Sequence, residues 1–507
     1  MSLDSALAIG TSGLLNIDRQ LAIVSQNVAN ASTPGYALEI SSQQALSAGG
    51  VGYGVQTGLT TRVLNTQLQG QVFGQNAMVA GLQTQQAALQ GIDALNGAVG
   101  QGGDLPGLVA ALQNSFSTLS NDPGNQTQQQ AVVAAAQSLA RGLNALSQGV
   151  GAARQTAQDQ MVGEVSSLNA GLSTIGALSS RIVQLKAQGQ STADLENQRD
   201  AAIQGVSQLV DMRFLAQPDG DMLAVTGSGL SVPLHGGSSP FSLAGATIGA
   251  NASHPGSVPG IMLGGADVTA QMAGGQIGAN VALRDQVLPT YQAELDEVSH
   301  TTATRFAAQG LALFTNPAGV VPGGGGSPAQ AGYVGFAGTI QANPAVLANP
   351  ALVRDGTNAV AGSGTGASAF TPNPAGGPAG FTALISRVLD YAMGTEVQAG
   401  VPQPAAAQTG LGPSGALSSP YSGDASLGGL ASAFAGAQAQ DSAAVTGALT
   451  TAQGVQTSLQ AKLSAGSGVS IDAEMSTMVT LQNAYGANAK IITAAQAMWA
   501  DLLQTIN

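Results

Sequence analysis

The Arg-Asp pairs Arg199-Asp200 and Arg284-Asp285 are the residues of this chain most open to a chemical reading. A carboxylate beside a guanidinium can hold or move a proton at a reacting group. Neighbours in sequence point different ways on a helix, however, and neither pair has a nucleophile or a metal ligand beside it. The expectation is therefore a local ion pair or helix surface charge. Region 317–425 offers Asp355, Asp390, Glu396 and Asp424, and two carboxyls across a cleft can cleave a glycosidic bond. The aromatic platforms that bind sugar rings do not surround them. Four consecutive glycines, Gly323 to Gly326, invite a phosphate cradle but lack a following Gly-Lys-Ser/Thr and read as loop. His235, His254 and His300 lie far apart in sequence, which argues against a His-rich metal site. Zero cysteine excludes disulfides, thiolate metal sites and cysteine nucleophiles. No catalytic, metal or cofactor-binding residue is expected, and no enzyme.

Composition points the same way. The 507 residues carry 14 basic and 27 acidic side chains, a net charge of −13. Charged residues make up 8%, against roughly 25% in an average soluble protein. Hydrophobic residues reach 44% but aromatics only 4%, and 70 residues are glycine. Such a chain buries surface through many thin contacts rather than a few bulky anchors. The acidic balance and the lack of a basic run argue against nucleic acid. No run of about 18 apolar residues is present to span a membrane. The start, Met1-Ser2-Leu3-Asp4, has no basic n-region or cleavage pattern, so no general secretory signal is expected. Composition alone suggests a structural or assembly protein.

The elements that carry such a role lie at the two ends. Leu3, Leu7, Gly10, Leu14, Ile17, Leu21, Val24, Val28 and Ala31 alternate steps of four and three, one stripe of an α-helix. Gly10 and Ala31 are its thin points. The helix must end near Asn30, because Thr33 precedes Pro34 and is pushed out of the α region. Pro34-Gly35 suits the centre of a type II turn. At the other end, Ile471, Met478, Tyr485, Ile492, Trp499 and Ile506 recur every seven residues, with Glu474, Leu481, Asn488, Ala495 and Leu502 as companions. Each stripe could sit in an ordinary helical core. Alternatively, the two form a coiled coil that also packs on neighbouring subunits, since their outer faces are Ser, Thr, Gln, Asn, Ala and Gly rather than Lys and Glu.

Between the ends, residues 37–65, with Gly49-Gly50, Gly52 and Gly54, read as a hairpin or extended arm. Helical spacing resumes at Leu68 and again at Leu105. Asp122 and Pro123 are read as N-cap and first residue of a tract from about 124 to 186, about 90 Å if continuous. Met212 to Leu215 and Met222 to Val225 read as strand, turn, strand, and short β segments fill 226–272. Leu283 to Phe306 returns to helix with Leu288, Tyr291, Leu295 and Val298 as its stripe, and Pro289 either kinks it or marks its first turn. The Gly/Ala/Pro/Ser-rich stretch to about 425 is expected to be a partly ordered surface domain with long loops. Helix returns at 425–465.

The segment Ser25 to Tyr36 resembles the signature of bacterial flagellar axial proteins, in which the N-terminal helix ends in a run like N-[IV]-A-N-x-x-T-P-G-[YF]. Asn27, Asn30, Thr33, Pro34, Gly35 and Tyr36 match it position for position. Leu112 to Pro123 with Gln130 to Ala140, Leu195 to Ile203, Gly274 to Pro289, and Asp472 to Ala489 are similar to segments of the hook-associated protein 1 family. The usual paired acids of the C-terminal helix are reduced to Ala473-Glu474, and Tyr36 is followed by Ala37 rather than a basic residue.

That resemblance implies a mainly α fold with β-rich insertions. Residues 1–36 with 468–507 would form the terminal axial coiled coil. Residues 37–210 with 276–316 and 425–467 would form a long-helix rod, 211–275 a small β-rich part, and 317–424 a variable outer region. It implies a structural junction between hook and filament, in the extracellular flagellum, reached by type III export. The implied partners are further copies in a ring-like layer, the hook protein, a second hook–filament junction protein and an export chaperone. The implied assembly residues are Leu3, Leu7, Leu14, Ile17, Leu21, Val24, Val28, Ile471, Met478, Leu481, Tyr485, Ile492, Trp499, Leu502 and Ile506. Met478, Tyr485, Ile492, Trp499 and Leu502 would also meet the chaperone. A hook or rod protein of the same group and a wall-cleaving accessory enzyme are the alternatives.

Overall fold

The computed structural model describes residues 3–33, 35–48, 51–97, 102–236, 239–324, 326–421 and 425–504. Met1, Ser2, Pro34, Gly49, Gly50, Gly325, Asp424 and Ile506, all named above, lie outside them. The fold is mainly helical with small antiparallel sheets. Helix α1 (Leu3–Asn30) carries Asp4 in its first turn, where the helix dipole favours an anion. It ends in a turn in which the Thr33 N–H donates to the Asn30 carbonyl at 2.8 Å. Strands β1 (Glu39–Ala48) and β2 (Val51–Arg62) follow as one hairpin with two register shifts.

Helices α2 (Thr66–Asn96), α3 (Leu105–Asn121), α4 (Gln126–Ala187) and α5 (Ala193–Leu209) build the body. The 62 residues of α4 run about 90 Å at ~1.5 Å per residue. Its N-cap is Asn125, whose side chain accepts from the N–H groups of Thr127 and Gln128. This corrects the expectation for Asp122 and Pro123. Asp122 instead terminates α3, donating its N–H to the Leu119 carbonyl, and Pro123 stays in the link. An Asx side chain two or three residues ahead of free N–H groups outcompetes a proline start here.

Strands β3 (Met212–Ala216), β4 (Met222–Thr226) and β5 (Ser231–Val232) form one sheet. Strands β6 (Phe241–Ser242), β7 (Met262–Leu263) and β8 (Ala266–Asp267) form another. Helix α6 (Gly275–Ala282) continues through a π-turn at Leu283–Val287 into α7 (Leu288–Ala308). The wider turn lies just before Pro289, whose ring blocks the ordinary bond to the fourth residue back. Leu288, Tyr291, Leu295 and Val298 are buried along α7.

Residues 314–418 hold three two-stranded ribbons, β9 (Phe314–Thr315) with β10 (Gln341–Ala342), β11 (Glu396–Gln398) with β12 (Val401–Pro402), and β13 (Thr409–Leu411) with β14 (Leu417–Ser418). Short helices α8 (Pro344–Ala348), α9 (Leu352–Asp355) and α10 (Ala383–Arg387) lie between them. The expected long loops are present, but the expectation of a partly ordered domain on the surface is corrected in one respect, because the stretch shares the main core. Tyr333, Phe336, Val346, Val353, Phe370, Leu384 and Val388 join the main core with Phe116, Leu139, Leu143 and Phe306 of the long helices. Sparse apolar residues suffice because each one is buried against a preformed helical face. A second core joins the far half of α4 to α5 and β3–β5. Helix α11 (Leu427–Ser467) returns along α2 and leads directly into α12 (Ile471–Gln504).

Buried carboxyls of α7 tie residues 330–419 to this frame. Asp296 accepts from the N–H groups of Gly335 and Ala337 at 2.7 and 2.9 Å, and Glu294 accepts from the Ser419 hydroxyl at 3.1 Å. Burial pushes both acids up, each to about 7. The folded chain then holds protons that the unfolded chain has released, so this stabilising contribution is present at acidic pH and is lost as pH rises through about 7. Burial lowers His300, which acts in the opposite sense. The contribution is therefore read as a difference between variants. Unfolding free energy of the natural chain should fall more steeply between pH 5 and pH 7 than that of Glu294→Gln, by up to about 1.4 kcal/mol per pH unit, and the two curves should run parallel well above pH 7. Denaturant titrations across both ranges measure it, and curves already parallel from pH 5 to pH 7 would contradict the assignment.

Candidate assembly site at the terminal helices

Helices α1 and α12 pack antiparallel. Ile17, Val24 and Leu481 form a small buried core, with Leu21, Met478 and Ala484 against it. Close approach is set by glycine. A Cβ built on Gly10 would lie 2.9 Å from Ile492 Cγ1, and one on Gly13 would lie 3.2 Å from Asn488 Oδ1. The other side of α1 rests on the hairpin. There the Val55 N–H donates to the Ser12 hydroxyl, and Thr57 donates to the buried Asn16 at 3.0 Å.

The C-terminal stripe divides between two faces. Met478, Leu481, Ile492 and Ala495 lie on the buried or half-buried side, with Glu474 and Asn488. Ile471, Tyr485, Trp499 and Leu502 remain 50%, 41%, 46% and 46% exposed. Met475, Val479, Ile491, Met498 and Leu503 are exposed with them. On α1, Leu3, Leu14, Leu21 and Val28 are half-buried, Leu7 is exposed, and Leu15 is the most exposed at 66%. One chain thus satisfies roughly half of its terminal apolar residues. The straight helix turns 3.6 residues per turn, so a strict seven-residue repeat drifts around its surface rather than staying on one face.

Beneath this pair sits a polar joint. Asn27, 1% exposed, accepts at Oδ1 from the Glu39 N–H and the Tyr36 hydroxyl. Its Nδ2 donates to the Glu39 carbonyl and, across the helix pair, to Glu474 Oε2 at 3.1 Å. Asn30 donates back to Gln26, and Thr33 donates to Asn30 Oδ1. Gly35 has φ +79°, a left-handed conformation that favours glycine. Tyr36 is raised by burial first and by Glu39 second, and Glu39 itself by burial and then Asp194.

The joint extends into the body through residues that sequence reasoning did not place there. Asn197 pairs with both backbone groups of Ala37 and donates to Glu39. Arg62, at the end of the hairpin, donates to Glu196 at 2.9 Å and to Asp200 at 2.6 Å. Gln69 of α2 adds a bond to Asp200, and Ser467 at the end of α11 accepts from the Leu38 N–H. Every element that enters or leaves the terminal pair is anchored here. The turn motif with Asn27 and Asn30 and the Arg199-Asp200 pair were both visible in the sequence, but nothing in their spacing joined them.

The residues first singled out for chemistry have structural partners. Arg199 and Asp200 are both buried and do not pair with each other. Arg199 donates to the Gly220 carbonyl and Ser179, while Asp200 serves Arg62. This corrects the surface-charge expectation, and burial lowers Arg199. Arg284 and Asp285 do form a two-pronged local pair at 2.8 and 2.7 Å, with Arg284 fully buried. The adjacent pair Arg354 and Asp355 in α9 bonds in the same two-pronged way, so a long guanidinium can reach back to its neighbour's carboxylate. Asp355 is clamped by Arg354 and Asn373, and Glu396 accepts from the Gly400 N–H. His235 and His254 lie against Asp221 and Asp267, and His300 stacks on Tyr333. Among the described residues, no group of three or more His, Asp or Glu is placed to hold a metal ion. None of the described helices is long and apolar enough to cross a membrane.

Comparison with known proteins adds to this geometry. Residues 89–316 match the helical domain of the flagellar hook-associated protein FlgK. Residues 7–36 match the flagella basal body rod protein family, and 460–505 the C-terminal family of the basal body rod proteins FlgEFG. A similar protein is the flagellar hook-associated protein 1 of Bacillus subtilis, 25% identical over 205 residues, covering 38% of this chain and 40% of that one. A solved structure, the flagellar hook junction protein FlgK from Burkholderia pseudomallei, aligns at 22% identity and a TM-score of 0.39 over 50% of this chain and 46% of that one. The matched part thus spans less than half the length of either relative. The two end models flank the helical-domain model in chain order, and over these segments the chain is similar to flagellar axial proteins, the hook-associated group among them.

Proposed function

We propose that the chain is a structural subunit of the junction between flagellar hook and filament, built into the axis through α1 and α12. The observation that carries this reading is the exposed apolar face of α12. Its 34 residues hold four charged side chains, Asp472, Glu474, Lys490 and Asp501, while Ile471, Tyr485 and Trp499 stay 50%, 41% and 46% exposed. Covering such a face gains ~25 cal/mol per Å². Small outward residues, among them Gly486 and a run of alanines, let a neighbouring helix approach closely.

On this reading further copies cover the exposed face in a ring-like layer, with the hook protein below and a second junction protein above. The body of long helices stands away from the axis. A flagellar export chaperone would shield the same α12 residues before assembly, and type III export would carry the chain out to the flagellum. The role is structural rather than enzymatic, in keeping with carboxyls that are tied to backbone and arginine partners. A hook or rod subunit is favoured less, because 89–316 matches a FlgK helical domain.

Two outcomes test the reading. Truncation after Gly468 should leave a folded, soluble body, because its cores lie outside α12, yet give cells that do not retain filaments. Electron micrographs showing normal filaments on such cells would sink the proposal. Trp499→Asp should lower chaperone affinity at least tenfold and reduce filament retention without shifting the melting temperature of the body. Calorimetric titration at natural affinity would remove the shared-surface claim.

A further inference from the structure

The heptad spacing of the terminal helices leaves their register under-determined by apolar contacts. In the observed pairing Gly10 faces Ile492, Gly13 faces Asn488, Leu21 packs with Leu481, and Asn27 meets Glu474. Sliding α12 by one heptad, about 10 Å along the axis, offers equally apolar seams. In one direction Ile17 would meet Met478, Val24 would meet Ile471, and Gly10 would meet Tyr485. In the other, Ile17 would meet Ile492, Val24 would meet Tyr485, and Gly10 would meet Trp499. Each alternative places one polar residue against Leu21: Glu474 in the first, Asn488 in the second.

The observed register is the one in which both polar residues are accommodated. Glu474 receives the Asn27 amide at 3.1 Å, and Asn27 is itself fixed by the backbone of Glu39. Asn488 lies over Gly13, where no side chain opposes it. A single polar residue in a heptad seam specifies register at a cost in stability, because burying it unpartnered is unfavourable. We propose that Glu474, held by Asn27, and Asn488, seated on Gly13, are positioning residues that lock α12 in register. The lock fixes the height at which Tyr485, Trp499 and Leu502 are presented above the joint. It stands whether or not the chain serves at a hook–filament junction.

The chain has no cysteine, so engineered pairs report register directly. Three full-length chains carry Gly10→Cys with Ile492→Cys, with Tyr485→Cys or with Trp499→Cys, positions one heptad apart. In the natural background only the 492 pair should bridge efficiently under mild oxidation. Glu474→Leu should raise bridging of the 485 pair at least tenfold, and Glu474→Gln, which keeps an acceptor for Asn27, should restore the natural pattern. Asn488→Leu, acting at the other end of the seam, should instead favour the 499 pair. Exclusive bridging of the 492 pair in both leucine variants would overturn the lock. So would equal bridging of all three pairs in the natural background, or loss of all bridging in both leucine variants, since the helices should remain paired.

Discussion

The constraint on which this structure depends is the return of the chain's two ends to one polar joint. Asn27 bonds both backbone groups of Glu39, which ties the end of α1 to the start of the hairpin. Arg62 and Asp200 tie the end of the hairpin to α5. Ser467 accepts from Leu38, which brings the end of α11 to the same point. Buried polar groups demand partners, and a network satisfied on all sides rigidifies what it joins. The terminal helices can therefore project as a pair with a core of only a few side chains.

Stability is divided unevenly as a result. The body is held by two large apolar clusters, in which α4 is the shared spine. The terminal pair is held by Ile17, Val24 and Leu481 with a few half-buried neighbours. The proposed assembly role would give this division a reason. A large preformed apolar core at the ends would leave little surface to bury on neighbours, whereas a thin one leaves the gain to be made in contact with other chains.

The central stretch shows how composition misleads. Residues 317–424 are rich in glycine, alanine and proline, the make-up of a linker. Yet Phe336, Val346, Val353, Phe370 and Leu384 are buried in the core that α3, α4 and α7 also line. Acids on α7 reach into the same stretch to hold its backbone. Short ribbons and single helical turns become stable because long helices supply a template that they could not supply for one another.

The sequence by itself determined the terminal helices, the end of the first of them and the inner face of α7. Heptad spacing marked α1 and α12, Thr33 before Pro34 marked where the first must stop, and the stripe through Leu288, Tyr291, Leu295 and Val298 marked the inner face of α7. These are local consequences of backbone sterics and periodicity, legible within a few turns of chain. Partner choice was decided only by the tertiary structure. Asp200 left its neighbour Arg199 for Arg62, Asn125 displaced Asp122 as a cap, and the companion residues Leu481, Asn488 and Ala495 took the seam ahead of Tyr485 and Trp499. Each of those outcomes turns on which group lies within about 3 Å after distant segments meet, a distance that no spacing along the chain encodes.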